Sequence, residues 1–161
     1  MSFKIKRINF KDVNFYLQTL NNTKIYNSTT SSQIKNLDHY IWWMNNQKLE
    51  KHVLIKKDKR LIVFWYKKKL DGKKKFFFSG WWPAKKDIDI ETIFFMTKKL
   101  IFLSKNLIHV AILSKKNKFR IRLHKHFTFE HLNKKSKIFE EIIKILNKKD
   151  DNRFIIMIKK N

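Results

Sequence analysis

Apolar and polar residues follow two rhythms along this chain, and the changes of rhythm mark its elements. Phe3, Ile5 and Ile8, set among basic residues, predict a first strand. Val13, Leu17 and Leu20 then recur at helical spacing, with Asn9 or Asp12 as candidate caps, so a helix is expected over 9–20. Residues 21–32 are rich in Asn, Ser and Thr and read as a loop. A second helix is expected over about 33–47, with Ile34, Leu37, Ile41 and Met44 as its core stripe. Trp42 and Trp43 lie about 100° apart on that helix, so at most one points fully into the stripe.

The middle of the chain shifts to strand rhythm. Residues 52–55 and 61–66 flank a polar turn at Lys56-Lys57-Asp58-Lys59. Residues 61–66 and 76–82 flank a Lys-rich connection holding Asp71-Gly72, a hairpin signal. These three strands form an antiparallel meander that Pro83 ends. A helix follows over 87–104, with Asp87 as its expected N-cap and Asp89 and Glu91 in its first turn. The unbroken apolar run 107–113 suits a strand buried on both faces, and the helical crossover before it implies a parallel neighbour. Ser114 is a plausible cap for a short basic helix that places Phe119 and Leu123 on one face. Phe127 and Phe129 alternate with Thr128 as in a strand. A helix over 134–147 carries Ile138, Ile142 and Ile145, and 154–158 is a last buried strand.

Composition narrows the class. The 161 residues suit a single domain, 1–161, with a sizeable core, and 43% are hydrophobic, too many for disorder. Two Gly and one Pro leave no flexible linker, and no repeat is present. No Cys means no disulfide framework and no thiolate chemistry. No run reaches the length of a membrane span and the N-terminal residues lack a signal-peptide core, so a cytoplasmic protein is expected.

The net charge of +25 suggests an anionic partner. The cations are mostly Lys; Arg occurs only at 7, 60, 120, 122 and 153. Abundant Lys, Asn, Ile and Phe together are what AT-rich codons produce, so part of the charge is compositional. A diffuse field is expected, with at most one local concentration near Lys85, Lys86, Lys115, Lys116 and Lys118. An RNA-binding or ribosome-associated protein would be expected to show an Arg-rich tail or an exposed aromatic platform, and neither is evident in the sequence.

One spacing carries more than composition does. Asn117, Leu123, His124, Phe127 and Phe129 stand at relative positions 0, +6, +7, +10 and +12. This resembles the closing motif of the GNAT (Gcn5-related) N-acetyltransferases, N-x-x-A-x-x-L-Y-x-x-x-G-F. In that family the Asn touches the pantetheine arm of acetyl-CoA, which assigns Asn117. His124 stands where Tyr usually protonates the leaving thiolate. Thr128-Phe129 replaces Gly-Phe, and Arg120 replaces the small residue. The element order also resembles the GNAT fold, an α/β arrangement of a mostly antiparallel mixed sheet with helices on both faces.

A second local likeness lies upstream. Asn22, Ser28, Ile34, His39, Trp42 and Trp43 follow the looser pattern N…S…I…H-x-x-W. This is similar to the substrate side of GNAT enzymes that acetylate amino-sugars of surface glycans, and ribosomal-protein acetyltransferases share parts of it. The resemblance implies a small-molecule amine acceptor held by Asn22, Ser28, His39, Trp42 and Trp43. His39 would accept the amine proton or bond a sugar hydroxyl; its alternative is an ordinary helix-surface histidine, as His124's is a solvated one. His109 reads as structural. The only close metal-like pair is His124-x-His126, with Glu130 nearby, and no metal is expected.

The resemblance also implies that acetyl-CoA enters between residues 78–82 and 110–113, with Trp81 and Trp82 beside it. Here the chain departs from the family, which carries [RQ]-x-x-G-x-[GA] ahead of the helix. Residues 83–91 contain no Gly and bear Asp87, Asp89 and Glu91, acids that repel an anion at a helix start. Either Lys85 and Lys86 take the phosphates as point charges, or the domain is GNAT-like but catalytically inactive.

Overall fold

The computed structural model describes residues 2–21, 34–46, 48–71, 74–85, 87–146 and 152–160. In order they form β1 (Lys4–Arg7), a 3₁₀ turn (Phe10–Asp12), α1 (Val13–Leu20), α2 (Asn36–Asn45), β2 (Glu50–Lys56), β3 (Lys59–Asp71), β4 (Lys74–Pro83), α3 (Ile90–Leu103), β5 (Ile108–Ser114), α4 (Lys118–His126), β6 (Glu130–His131), α5 (Lys137–Leu146) and β7 (Phe154–Lys160). The strands make one mixed, mostly antiparallel sheet, ordered β1-β2-β3-β4-β5-β7-β6. The chain divides into two compact units, Met1–Lys67 with Ser79–Leu103 and Lys68–Phe78 with Ser104–Asn161.

In the first unit the turn at 57–58 is the expected one. Lys57 and Asp58 have φ of 49° and 56°, the left-handed pair of a two-residue hairpin that suits the sheet's twist. Asn9 caps the 3₁₀ turn reciprocally with Asp12. The core joins Ile8, Val13, Tyr16, Trp43, Val53, Val63 and Trp82. The stripe expected on α2 is on the wrong face: Leu37, Ile41 and Met44 are exposed, whereas His39 and Trp43 are buried. Both faces of α2 carry apolar area, and the aromatic face buries more of it per residue.

Asn21 is held to Ile34 by two hydrogen bonds. Its side-chain amide donates to the Ile34 carbonyl at 2.8 Å and its oxygen accepts from the Ile34 amide at 2.9 Å.

The Lys-rich connection is mostly strand, since β3 runs on to Asp71 and β4 begins at Lys74. Gly72 lies outside the described residues. In the second unit β4 and β5 pair in parallel at Phe76↔Ile108, Phe77↔His109 and Phe78↔Val110. β5 then continues to Ser114, paired antiparallel with β7 throughout. Its other edge has no ladder partner beyond Val110 among the described residues. Three further expectations are corrected here. Ser114 closes β5 and does not cap α4; Asn117 does, its oxygen accepting from the Arg120 amide at 3.0 Å. Phe119 and Leu123 part company, with Leu123 buried and Phe119 49% exposed. Phe127 and Thr128 form a turn, and the strand begins only at Glu130.

Candidate functional site

In the first unit, Tyr16 on α1 is the centre of an aromatic box. Its ring stacks on His39 (5.7 Å between centroids) and Trp42 (6.1 Å), and meets Trp43 (5.4 Å) and Trp82 (5.2 Å) edge-on. His39 also stacks on Trp42 at 5.6 Å. Tyr16 is 0% exposed and His39 1% exposed, so His39 is not a surface histidine.

The box is polar in the wrong way for a mere core. The Tyr16 hydroxyl, His39 Nε2 and Trp82 Nε1 are all buried without a hydrogen-bond partner. Buried polar side-chain atoms are nearly always paired, so three orphans around one ring call for a ligand or water. Their roles can be assigned. The His39 ring donates to the Val13 carbonyl, and since Nε2 is the nitrogen without a partner, Nδ1 carries the proton. Nε2 therefore presents a lone pair, the Trp82 indole presents a donor, and the Tyr16 hydroxyl can do either. Burial pushes the His39 pKa down against that bond, with Lys51's charge adding to the fall, so the ring is neutral at neutral pH. Burial alone raises the Tyr16 pKa well above its ordinary value.

Lys51, 3% exposed, lies at the edge of the same cluster. Its Nζ sits 4.5 Å from the Trp43 ring centroid and 5.6 Å from that of Trp42, and donates to the Asn46 carbonyl at 2.6 Å. Burial lowers its pKa.

Of the residues expected on the acceptor side, the structure brings together His39, Trp42 and Trp43. Asn22 and Ser28 lie outside the described residues, as does Lys86. Tyr16 was missed by sequence reasoning. Its position three after Val13 already placed it on the buried face of α1, and a tyrosine in an aliphatic stripe was the available signal.

The start of α3 is committed to its own cap. Asp89, and not Asp87, caps it: Oδ1 accepts from the Thr92 amide at 2.7 Å and Oδ2 from the Thr92 hydroxyl at 2.9 Å. Those bonds hold the Asp89 pKa below its ordinary value. Glu91 pairs with Lys56 at 3.5 Å.

In the second unit His124 is buried against Phe129 at 4.9 Å, and His109 meets the same ring at 5.0 Å. Burial is the main cause that drives His124 down to about 4 and His109 down to about 3. His109 Nδ1 lies 3.0 Å from the Ser104 hydroxyl. Neither ring is solvated and both are neutral at pH 7.

No protein-family model and no curated protein matches the sequence. Solved structures do match. A domain from Methanocaldococcus jannaschii aligns over 99% of each chain at 16% identity, with a TM-score of 0.68. Ribosomal-protein-alanine N-acetyltransferase from Brucella melitensis aligns over 98% of this chain and 99% of its own, at 13% identity and TM-score 0.69. The aminoglycoside acetyltransferase AAC(6')-Ib, solved with coenzyme A, aligns over 99% and 95%, at 10% identity and TM-score 0.70. The chain has the GNAT fold.

Within that fold two departures acquire physical content. Thr128 stands where the motif has Gly, and its φ is 62°, the left-handed region that Gly occupies freely and β-branched residues avoid. At the α3 start, the first-turn amide that the GNAT pattern leaves bare for pyrophosphate is taken by the Asp89 carboxylate. That leaves one amide fewer for an anion at this helix start. Lys85, exposed just ahead of it, is the described cation that remains there.

Proposed function

We propose that the protein is an N-acetyltransferase that takes acetyl from acetyl-CoA to the amine of a small, hydroxylated acceptor such as an amino-sugar. The observation that carries this reading is the trio of orphaned atoms in the aromatic box of a GNAT fold. Aromatic walls suit the apolar face of a sugar ring, the Trp82 N–H and Tyr16 hydroxyl suit its oxygens, and the His39 Nε2 lone pair suits the amine proton. His39 acts as the base, because burial and the nearby Lys51 ammonium keep Nε2 unprotonated. The thioester arm would lie along the β5 edge past Val110, with Asn117 at its end. Lys85 and Lys86 would offer point charges to a phosphate group.

His124 has a different part from the one its motif position suggests. Its Nδ1–H is given to the Arg120 carbonyl at 2.8 Å, which leaves Nε2 without a proton to donate. It serves as a positioning residue that packs Phe129 under α4.

The test is coenzyme A release from acetyl-CoA with a panel of small amines, amino-sugars among them. His39→Gln should lower turnover by about 100-fold or more. Tyr16→Phe removes an unpaired hydroxyl, so it should leave stability unchanged or raised while weakening acceptor binding. A second reading rests on the Asp89 cap, which favours a GNAT-like binding domain without acetyl transfer. Absence of acetyl-CoA affinity by calorimetry at low salt would decide for it.

A further inference from the structure

From Thr92 to Phe129 the sequence contains no Asp or Glu but seven Lys and two Arg. The last third of that stretch is α4 and the turn before it. The buried side of α4 is Leu123 and His124. Lys118, Arg122 and Lys125 are exposed on the opposite side at spacings of three and four, Phe119 is exposed on its flank, and Lys115 and Lys116 are exposed in the turn before the helix. None of these cations has a carboxylate within ion-pair distance among the described residues. Phe119 is 49% exposed beside these cations. An aromatic ring flanked by uncompensated cations is the combination that binds an unpaired strand: the ring stacks a base and the cations follow the backbone.

We propose that this face of α4 binds single-stranded nucleic acid, one base stacked on Phe119 and the phosphates on Lys115, Lys116, Lys118, Arg122 and Lys125. A duplex offers no free base to the ring. A membrane surface would require an apolar helix face, and α4 spends its own on the protein core. The inference is independent of acetyl transfer.

The experiment is fluorescence anisotropy of the full chain with a fluorescein-labelled 12-nucleotide oligouridylate between 50 and 200 mM salt. About five phosphate contacts give a slope of log affinity against log salt near −3.5. Phe119→Ala should weaken binding about tenfold or more without changing the slope. Lys118→Gln with Arg122→Gln should make the slope shallower by about 1.4. Lys67→Gln, Lys68→Gln and Lys69→Gln together remove more charge from the exposed end of β3 and should leave affinity within about twofold. Thermal melts check that each variant folds, which the exposure of all these side chains favours. Four results overturn the proposal. These are an unchanged affinity in Phe119→Ala, an equal loss in the β3 variant, displacement of the oligonucleotide by millimolar coenzyme A, and binding of phosphatidylglycerol vesicles in place of the oligonucleotide.

Discussion

The imidazole of His124 donates from Nδ1 to the carbonyl of Arg120, one helical turn back, at 2.8 Å. The bond is made inside the core, and the guanidinium of Arg120 nearby adds to the burial that disfavours a second proton. This contact turns a motif residue that reads as an acid into a neutral wedge.

Stability should therefore fall with acid. The folded pKa values of His124 (about 4) and His109 (about 3) lie below the ordinary histidine value of 6.5. Below that value the unfolded chain binds two protons that the folded chain refuses. Their contribution is complete above pH 6.5 and is lost as pH drops through 4 to 3, by several kcal/mol at most. Urea unfolding at a series of pH values measures this, and His124→Gln should flatten the slope between pH 6.5 and 4. A wild-type stability that is level over that range contradicts the buried neutral pair.

Thr128→Gly should raise the melting temperature. The left-handed conformation costs a β-branched residue about 1–2 kcal/mol. Glycine's looser unfolded chain offsets part of it, and the Thr128 hydroxyl also gives up its bond from Lys159. A net gain of up to about 1 kcal/mol, or ~2–4 °C, is expected by calorimetric melting. A lower melting temperature would show that the Lys159 bond outweighs the strain.

Gly80→Ala should do the reverse. A Cβ there would stand 2.6 Å from Trp65 Nε1 and 2.9 Å from Cε2, closer than van der Waals contact allows. Trp65 packs against the first unit's core, so its ring cannot simply swing away. A loss of about 1–3 kcal/mol is expected from denaturant unfolding. An unaffected variant would mean that the indole has room to shift.

Asp89→Ala should separate stability from ligand binding. Removing the carboxylate uncaps α3 and lowers the melting temperature. It also bares the Thr92 amide and removes a repulsive charge, so affinity for acetyl-CoA should rise several-fold in calorimetry. A fall in affinity would place the phosphates away from this helix start.

The order of strands and helices was written in local patterns. The 107–113 apolar run, the Lys57-Asp58 turn and the helical crossover before β5 needed only periodicity and turn chemistry, and the structure has all three. The spacing from Asn117 to Phe129 pointed to the GNAT fold for the same reason, since a motif is a local pattern. Local pattern could not choose between the two apolar faces of α2. That choice depended on Tyr16, more than twenty residues away, offering its ring to His39 and Trp43. Nor could it tell a solvated His124 from a buried one, because its burial comes with Phe129 packing against its ring. Sequence fixes which atoms can donate, accept or titrate; only packing decides which of them are left without water or a partner.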